Sequence, residues 1–112
     1  MHELSITQGI VDICLEHSAG RRVGSVTLQI GELAGVVPEA VEFCFAAVTA
    51  GTLLEGARLI IELIPAKGHC LDCHAVFGRS AYFDPCPICG GYRVDIRAGE
   101  ELRVKELDVE EK

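Results

Sequence analysis

The stretch Cys70-Leu71-Asp72-Cys73 decides how this chain is organised, together with a second stretch of the same Cys-x-x-Cys pattern, Cys86-Pro87-Ile88-Cys89. The two Cys-x-x-Cys units are separated by twelve residues, so their four thiols can converge on one ion. Zn²⁺ takes four sulfur ligands in a tetrahedron, and paired units of this kind are typical of structural zinc sites. We therefore predict a zinc-ribbon-like module that folds as it binds metal.

Three alternative interpretations of these cysteines stay open from the sequence. The second unit continues into Gly90 and resembles a rubredoxin knuckle, which would hold iron. The first unit continues into His74 and so matches the haem-attachment motif of c-type cytochromes. Haem attachment normally requires export and an axial ligand, and the sequence shows no signal peptide or suitable Met. His69 and His74 could also replace a thiolate on zinc, although we interpret them as solvent-facing or supporting residues.

Composition limits the size of the fold and the classes of partner. A chain of 112 residues without Trp suits one small layered domain with a smaller metal-stabilised appendage. The net charge of −7 and the scattered basic residues disfavour binding to nucleic acid. No segment reaches the length of a membrane span, and no signal peptide is evident. We therefore expect a cytoplasmic protein, in which six cysteines would not form three disulfides.

Apolar periodicity predicts two helices and three strands outside the cysteine module. The predicted elements are a helix over 4–19, a strand over 23–33, a helix over 38–50, a strand over Arg58–Ile64 and a last strand over 101–107. This order predicts an α+β fold, with a small three-stranded sheet, two helices and an inserted zinc-ribbon-like module. We place the α/β domain at residues 1–66 and 98–112, and the inserted zinc-binding domain at residues 67–97.

The same periodicity assigns the buried faces. The first helix buries a stripe formed by Ile6, Ile10, Ile13, Cys14 and Leu15, and the second buries Val41, Cys44, Phe45 and Val48. Cys14 and Cys44 are therefore assigned to the core and not to a reactive site. In the first strand the buried residues are Val26, Leu28 and Ile30. The nearly continuous apolar run of Arg58–Ile64 indicates a central strand.

The terminal segment Met1-His2-Glu3 is a second candidate metal site. A free α-amine, the amide nitrogen of His2 and its imidazole can form fused chelate rings around one ion. With Glu3 or a further donor in the fourth place, they make the nitrogen-rich planar site that Ni²⁺ and Cu²⁺ favour. The alternative is an exposed histidine in a mobile terminus. The spacings support no catalytic triad, phosphate-binding loop or repeated carboxylate pair.

Several stretches together resemble the HypA/HybF family of hydrogenase maturation proteins. They are Met1-His2-Glu3-Leu4-Ser5-Ile6, Ile30-Gly31-Glu32-Leu33, Val37-Pro38-Glu39-Ala40-Val41, Phe43-Cys44-Phe45 and the paired cysteine module. Each motif is weak alone, but their order and separation are specific and extend over nearly the whole chain. The resemblance implies an α/β domain that binds nickel, with a zinc domain inserted before the last strand.

The resemblance also implies the activity and the site residues. It implies a nickel metallochaperone without catalytic turnover that delivers Ni²⁺ during maturation of [NiFe]-hydrogenase. The implied partners are the GTPase HypB and the precursor of the hydrogenase large subunit, and we expect a monomer or a weak homodimer. The implied ligands are Met1, His2 and Glu3 for nickel, and Cys70, Cys73, Cys86 and Cys89 for structural zinc.

The competing hypothesis is a zinc-ribbon module that binds protein or nucleic acid and has no nickel function. It predicts dependence on exposed side chains of the ribbon such as Arg79, Tyr82 and Arg93, and indifference to His2. The acidic balance of the chain disfavours its nucleic-acid version.

Overall fold

The computed structural model describes residues 3–78 and 85–110. The elements are α1 (Glu3–Ser18), β1 (Val23–Gly31), α2 (Pro38–Thr49), β2 (Arg58–Ile64), β3 (Lys67–Cys70), β4 (Val76–Gly78), β5 (Val94–Ala98) and β6 (Leu102–Val109). Within the described residues they form two three-stranded sheets, in the orders β2-β1-β6 and β4-β3-β5. The predicted α+β fold, with two helices, a small sheet and a cysteine module, is confirmed. Neither helix of the described part is long and apolar enough to cross a membrane.

The strand at the centre of the first sheet differs from the prediction. Arg58–Ile64 forms β2, which lies at one side of the order β2-β1-β6, and β1 lies between its neighbours. Ile60 and Leu63 are 36% and 63% exposed, so the apolar run is only partly covered. The prediction was wrong because a continuous apolar run does not reveal which strands pair with it.

Helix α1 buries Ile10, Val11 and Cys14. The prediction of a buried Ile13 was wrong, since Ile13 is 47% exposed and Val11 lies in the core instead. Thr7 is also buried, and its hydroxyl donates a 2.6 Å hydrogen bond to the carbonyl of Glu3 one turn earlier. A hydroxyl satisfied in this way can lie in an apolar stripe without an unpaired donor.

Strand β1 and helix α2 follow the predicted patterns more closely. Val26, Leu28 and Ile30 of β1 are all buried, as predicted. Pro38 begins α2, where a missing N–H costs no hydrogen bond. Helix α2 buries Val41, Phe45 and Thr49, whereas the predicted core residues Cys44 and Val48 are only half-buried. The buried stripe of α2 is therefore narrower than predicted.

The chain divides into two compact units. The first unit contains Met1–Gln29, Val36–Glu62 and Arg103–Lys112, and the second contains Ile30–Gly35 and Leu63–Leu102. The first unit contains both helices and most of the sheet β2-β1-β6, and the second contains the paired cysteines and the sheet β4-β3-β5. The predicted domain boundaries at residues 66/67 and 97/98 stay a prediction.

In the second unit, the segment Ile30–Gly35 contacts the chain near Ala66, before the cysteine module, and near Gly99, after it. Leu33 donates a backbone hydrogen bond of 2.6 Å to the carbonyl of Gly99. The carboxylate of Glu32 accepts a 2.5 Å hydrogen bond from the amide of Ala66. A Cβ added at Gly31 would lie 2.1 Å from the carbonyl carbon of Gly99, so these backbones meet at a distance that only glycine allows.

Candidate metal centre

The two Cys-x-x-Cys units fold into nearly identical backbone loops. In each loop the first cysteine accepts a bond through its carbonyl and donates a bond through its amide. The four bonds are His74 N to Cys70 O at 2.9 Å, Gly90 N to Cys86 O at 2.8 Å, Cys70 N to Ala75 O at 2.9 Å and Cys86 N to Gly91 O at 2.8 Å. The residue after the second cysteine is left-handed in both loops, with φ of 65° at His74 and 74° at Gly90. The two loops therefore present their sulfurs in equivalent ways.

The four cysteine sulfurs converge on one point. Their Sγ atoms all lie within 4.8 Å of one another. The pairs Cys70–Cys89 and Cys73–Cys86 are each 3.6 Å apart. A tetrahedral zinc site with Zn–S bonds of about 2.3 Å separates its sulfurs by about 3.8 Å, so the cluster has the size that zinc requires. Cys70 and Cys86 are buried, whereas Cys73 and Cys89 face solvent.

Backbone amides favour the thiolate form of the first cysteine in each loop. The Cys73 amide hydrogen bonds to the Cys70 sulfur at 3.4 Å and is the main cause of a lowered pKa for Cys70. Hydrogen bonds from the amides of Cys89 and Ile88 lower the pKa of Cys86 to about 7. Both loops therefore stabilise a negative sulfur at the buried position.

The second cysteine of each loop has the opposite tendency. The Ala75 amide lowers the pKa of Cys73, but partial desolvation beside the cluster and the neighbouring sulfurs of Cys86 and Cys70 outweigh this effect and raise the pKa to about 12. The pKa of Cys89 is raised as well. Four thiolates this close repel one another, and a dication removes that penalty by binding all four. The residues thus fit a closed tetrathiolate zinc site.

His69 and His74 flank the first Cys-x-x-Cys unit in the sequence. Among the described residues, the side chains close enough to share one ion are the four cysteines alone. The His69 Nδ1 atom lies 2.8 Å from the Arg97 guanidinium, which can only donate, so Nδ1 is the acceptor. The ring centroids of His69 and His74 are 5.7 Å apart. The geometry therefore gives both histidines a position outside the sulfur cluster.

One salt bridge and one close contact link the loops to neighbouring residues, of which the sequence had singled out only Arg93, for the competing hypothesis. Arg93 forms a 2.9 Å salt bridge with Asp72, which lies inside the first Cys-x-x-Cys unit. A Cβ at Gly91 would lie 3.0 Å from the Asp72 carboxylate and 3.3 Å from the Cys89 sulfur. The sequence did contain a signal for the position of Gly91: when the two Cys-x-x-Cys units are aligned, Gly90 corresponds to His74 and Gly91 to Ala75.

The second predicted metal site falls mostly outside the described residues. Met1 and His2 lie outside them, as do Arg79 and Tyr82, two of the residues on which the competing hypothesis depends. Glu3 is the first residue of α1 and is half-buried. A carboxylate there complements the positive end of the helix dipole, a role that needs no metal. The nickel site at the terminus stays a prediction.

The remaining cysteine and histidine of α1 have structural surroundings. Cys14 is fully buried, and burial raises the pKa of its thiol to about 11. It is therefore a protonated core residue at neutral pH, as predicted. A groove of about 400 Å³ separates α1 from β6 within the first unit and is lined by Ile13, Cys14, His17 and residues of β6. His17 is exposed in the last turn of α1, where a partial positive charge is favourable.

Comparison with known proteins gives matches over nearly the whole chain. The family model described as "Hydrogenase/urease nickel incorporation, metallochaperone, hypA" matches residues 1–109. The hydrogenase maturation factors HypA of Geobacter sulfurreducens and Geotalea uraniireducens are 64% and 62% identical over 110 residues, which is 98% of this chain and 100% of each relative. The solution structure of the Ni metallochaperone HypA from Helicobacter pylori is similar, with 26% identity, a TM-score of 0.71 and full coverage of both chains.

Proposed function

This chain belongs to the HypA family of hydrogenase/urease nickel-incorporation metallochaperones, and from that premise we propose that it binds Ni²⁺ and delivers it during maturation of [NiFe]-hydrogenase. The observation that carries the proposal is the family match over residues 1–109, which includes both the terminal segment and all four clustered cysteines. A carrier of this kind binds and releases its cargo and needs no catalytic turnover.

The four thiolates of Cys70, Cys73, Cys86 and Cys89 are assigned to a structural Zn²⁺ ion. The equivalent loops, the sulfur separations and the backbone amides that favour thiolate support this assignment. When bound, zinc would supply a cross-link between the two loops. A closed site of four thiolates leaves no open position for an acceptor's ligand, so it suits a permanent ion and not a cargo.

The nickel cargo is assigned to the Met1 amine and to the amide and imidazole nitrogens of His2, with Glu3 as the supporting carboxylate. The family match, which begins at residue 1 and so includes this terminal segment, supports this assignment. An acceptor can displace few ligands on a terminal segment without unfolding the carrier. The amine and the imidazole have ordinary pKa values of about 8 and 6.5 and must lose protons to bind. Nickel affinity should therefore fall as the pH is lowered through that range.

The proposed partners are the GTPase HypB, which would act with the carrier, and the precursor of the hydrogenase large subunit, which would accept nickel. We assign the reaction to the cytoplasm and expect the carrier to be a monomer or a weak homodimer. The similarity to a Ni metallochaperone and to hydrogenase maturation factors supports these assignments. The competing zinc-ribbon hypothesis differs from this proposal because it gives the terminus no role.

A nickel titration of the zinc-loaded protein by calorimetry tests the proposal. Three samples are compared with the untagged chain: one with an N-terminal extension, His2→Ala and His17→Ala. The extension removes the free amine and His2→Ala removes the imidazole, so both should abolish tight binding. His17→Ala is the matched control, because His17 is exposed at the other end of α1. Unchanged nickel binding in the extended chain and in His2→Ala would refute the assignment and favour the zinc-ribbon hypothesis.

A further inference from the structure

Helix α2 presents an exposed face on the side opposite its buried stripe, with carboxylates toward its N-terminal end and apolar side chains after them. We call this surface the α2 outer face; its residues are Glu39, Glu42, Phe43, Ala46 and Ala47, all of them exposed. Their spacing of three and one follows the helical repeat, so they lie in one stripe. Phe43 is 84% exposed. With the exposed Ala46 and Ala47 beside it, the Phe43 ring forms a contiguous small apolar patch and not a single scattered side chain.

The sizes of the side chains favour another helix as the occupant. Ala46 and Ala47 lie one turn beyond Phe43 toward the C-terminal end of α2. Small side chains allow a second helix to approach closely, and the Phe43 ring beside them provides a knob for its aliphatic side chains. A flat platform next to a protruding ring is thus complementary to an apolar stripe with helical spacing.

The charges of α2 specify the orientation of that helix and exclude a second copy of α2. Glu39 and Glu42 lie at the N-terminal end of the face, and α2 contains no Lys or Arg. Two copies of α2 would therefore leave the carboxylates beside each other or beside the negative end of a helix dipole. An antiparallel partner helix instead places its C-terminal end there, where Lys and Arg are favoured both by its own dipole and by Glu39 and Glu42.

We propose that the α2 outer face docks an amphipathic helix of a partner protein. This helix runs antiparallel to α2, lays an aliphatic stripe over Phe43, Ala46 and Ala47, and carries Lys or Arg in its last turn beside Glu39 and Glu42. The inference stands on exposure, size and charge and does not depend on the nickel assignment, because no residue of the α2 outer face is a proposed metal ligand.

NMR titration of the full zinc-loaded chain with two synthetic helical peptides tests the proposal. Both peptides carry leucines at helical spacing, one with its arginines in the last turn and the other in the first. The first peptide should bind more tightly and shift the amide signals of residues 39–47. Phe43→Ala should weaken binding by about tenfold, as is common for a central aromatic residue of an interface. Val76→Ala is the matched control, because Val76 is 63% exposed in the second unit and should not affect binding.

The double variant Glu39→Gln/Glu42→Gln tests the proposed charge pairing. It should remove the difference between the two peptides while leaving the contribution of Phe43. Absence of saturable binding, shifts away from α2 or equal binding of both peptides to the unmodified chain would overturn the proposal. Sedimentation measurements provide a further test, since a dimer that Phe43→Ala dissolves would assign the face to a second copy of the chain. The circular dichroism of each variant shows whether its helices are intact.

Discussion

The residue that follows the second cysteine is His74 in the first loop and Gly90 in the second. This difference gives a quantitative prediction for zinc affinity. His74 and Gly90 both adopt left-handed backbone conformations, with φ of 65° and 74°. An L-residue in this conformation costs roughly 1–2 kcal/mol, whereas glycine adopts it freely but loses about 0.5–1 kcal/mol more backbone entropy on folding. His74→Gly should therefore stabilise the folded loop by about 0.5–1 kcal/mol, and Gly90→Ala should destabilise it by a similar amount.

Because the loops fold as they bind metal, these energies should appear in the affinity for zinc. His74→Gly should bind zinc about two- to fivefold more tightly, and Gly90→Ala about two- to fivefold more weakly, since about 1.4 kcal/mol corresponds to tenfold. A Cβ at Gly90 would meet no atom within 4 Å, so steric overlap does not complicate the comparison. Competition with a chromogenic chelator at fixed pH measures both changes.

His74→Ala separates the backbone effect from the loss of the imidazole. Alanine lacks the ring that lies 5.7 Å from His69 but retains the strain of the left-handed conformation. It should therefore bind zinc no more tightly than the unmodified protein. Equal tightening in His74→Ala and His74→Gly would refute the reasoning, because the effect would then arise from the side chain.

Three further predictions follow from the packing and charges. Gly31→Ala should lower the melting temperature strongly, since its Cβ would lie 2.1 Å from Gly99. Gly9→Ala in α1 is the control: its Cβ meets no atom within 4 Å, so it should stabilise the fold by about 0.5–1 kcal/mol. Calorimetry measures both changes. Cys73→Ala should disrupt the cysteine module while circular dichroism retains the helical signal, because both helices lie in the other unit. Hydrogen bonds from Lys105 and Gln29 lower the pKa of Glu62, so its ionised form stabilises the fold above about pH 4.3 and this contribution is lost as pH falls through the lowered pKa. Glu62→Gln should therefore make the melting temperature less sensitive to acid. The change should be small, because the ion pair of Glu62 with Lys105 is exposed.

Elements that depend on local pattern were predictable from the sequence. The first helix was predicted over 4–19 and extends over Glu3–Ser18, and the strand Arg58–Ile64 has the predicted bounds. Apolar spacing and the positions of Gly20 and Pro65 contain this information, because they act within a few residues. The convergence of the four cysteines was also predictable, since their spacing and chemistry require it.

Features that depend on pairing between distant residues were not predictable. The approach of Gly31 to Gly99 joins segments far apart in the chain, and each glycine alone indicates only a turn. The same holds for the place of β2 in its sheet, which depends on which strands pair with β1. Within α1, Val11 and Ile13 fit the apolar pattern almost equally well, and only the packed helix shows that Val11 is buried.

The chemistry of the two proposed sites suggests why an ion that is retained and an ion that is transferred would use different ligands. In the folded loops, backbone amides favour thiolate at Cys70 and Cys86, and the four sulfurs lie where they can enclose one ion. If zinc binds all four, its removal would leave four close thiolates or require some of them to take up protons, so we expect slow release near neutral pH. A terminal amine and imidazole lose an ion one ligand at a time, and their protonation near pH 7 assists that loss. A chain that retains one metal and transfers another is therefore expected to use sulfur for the first and nitrogen for the second.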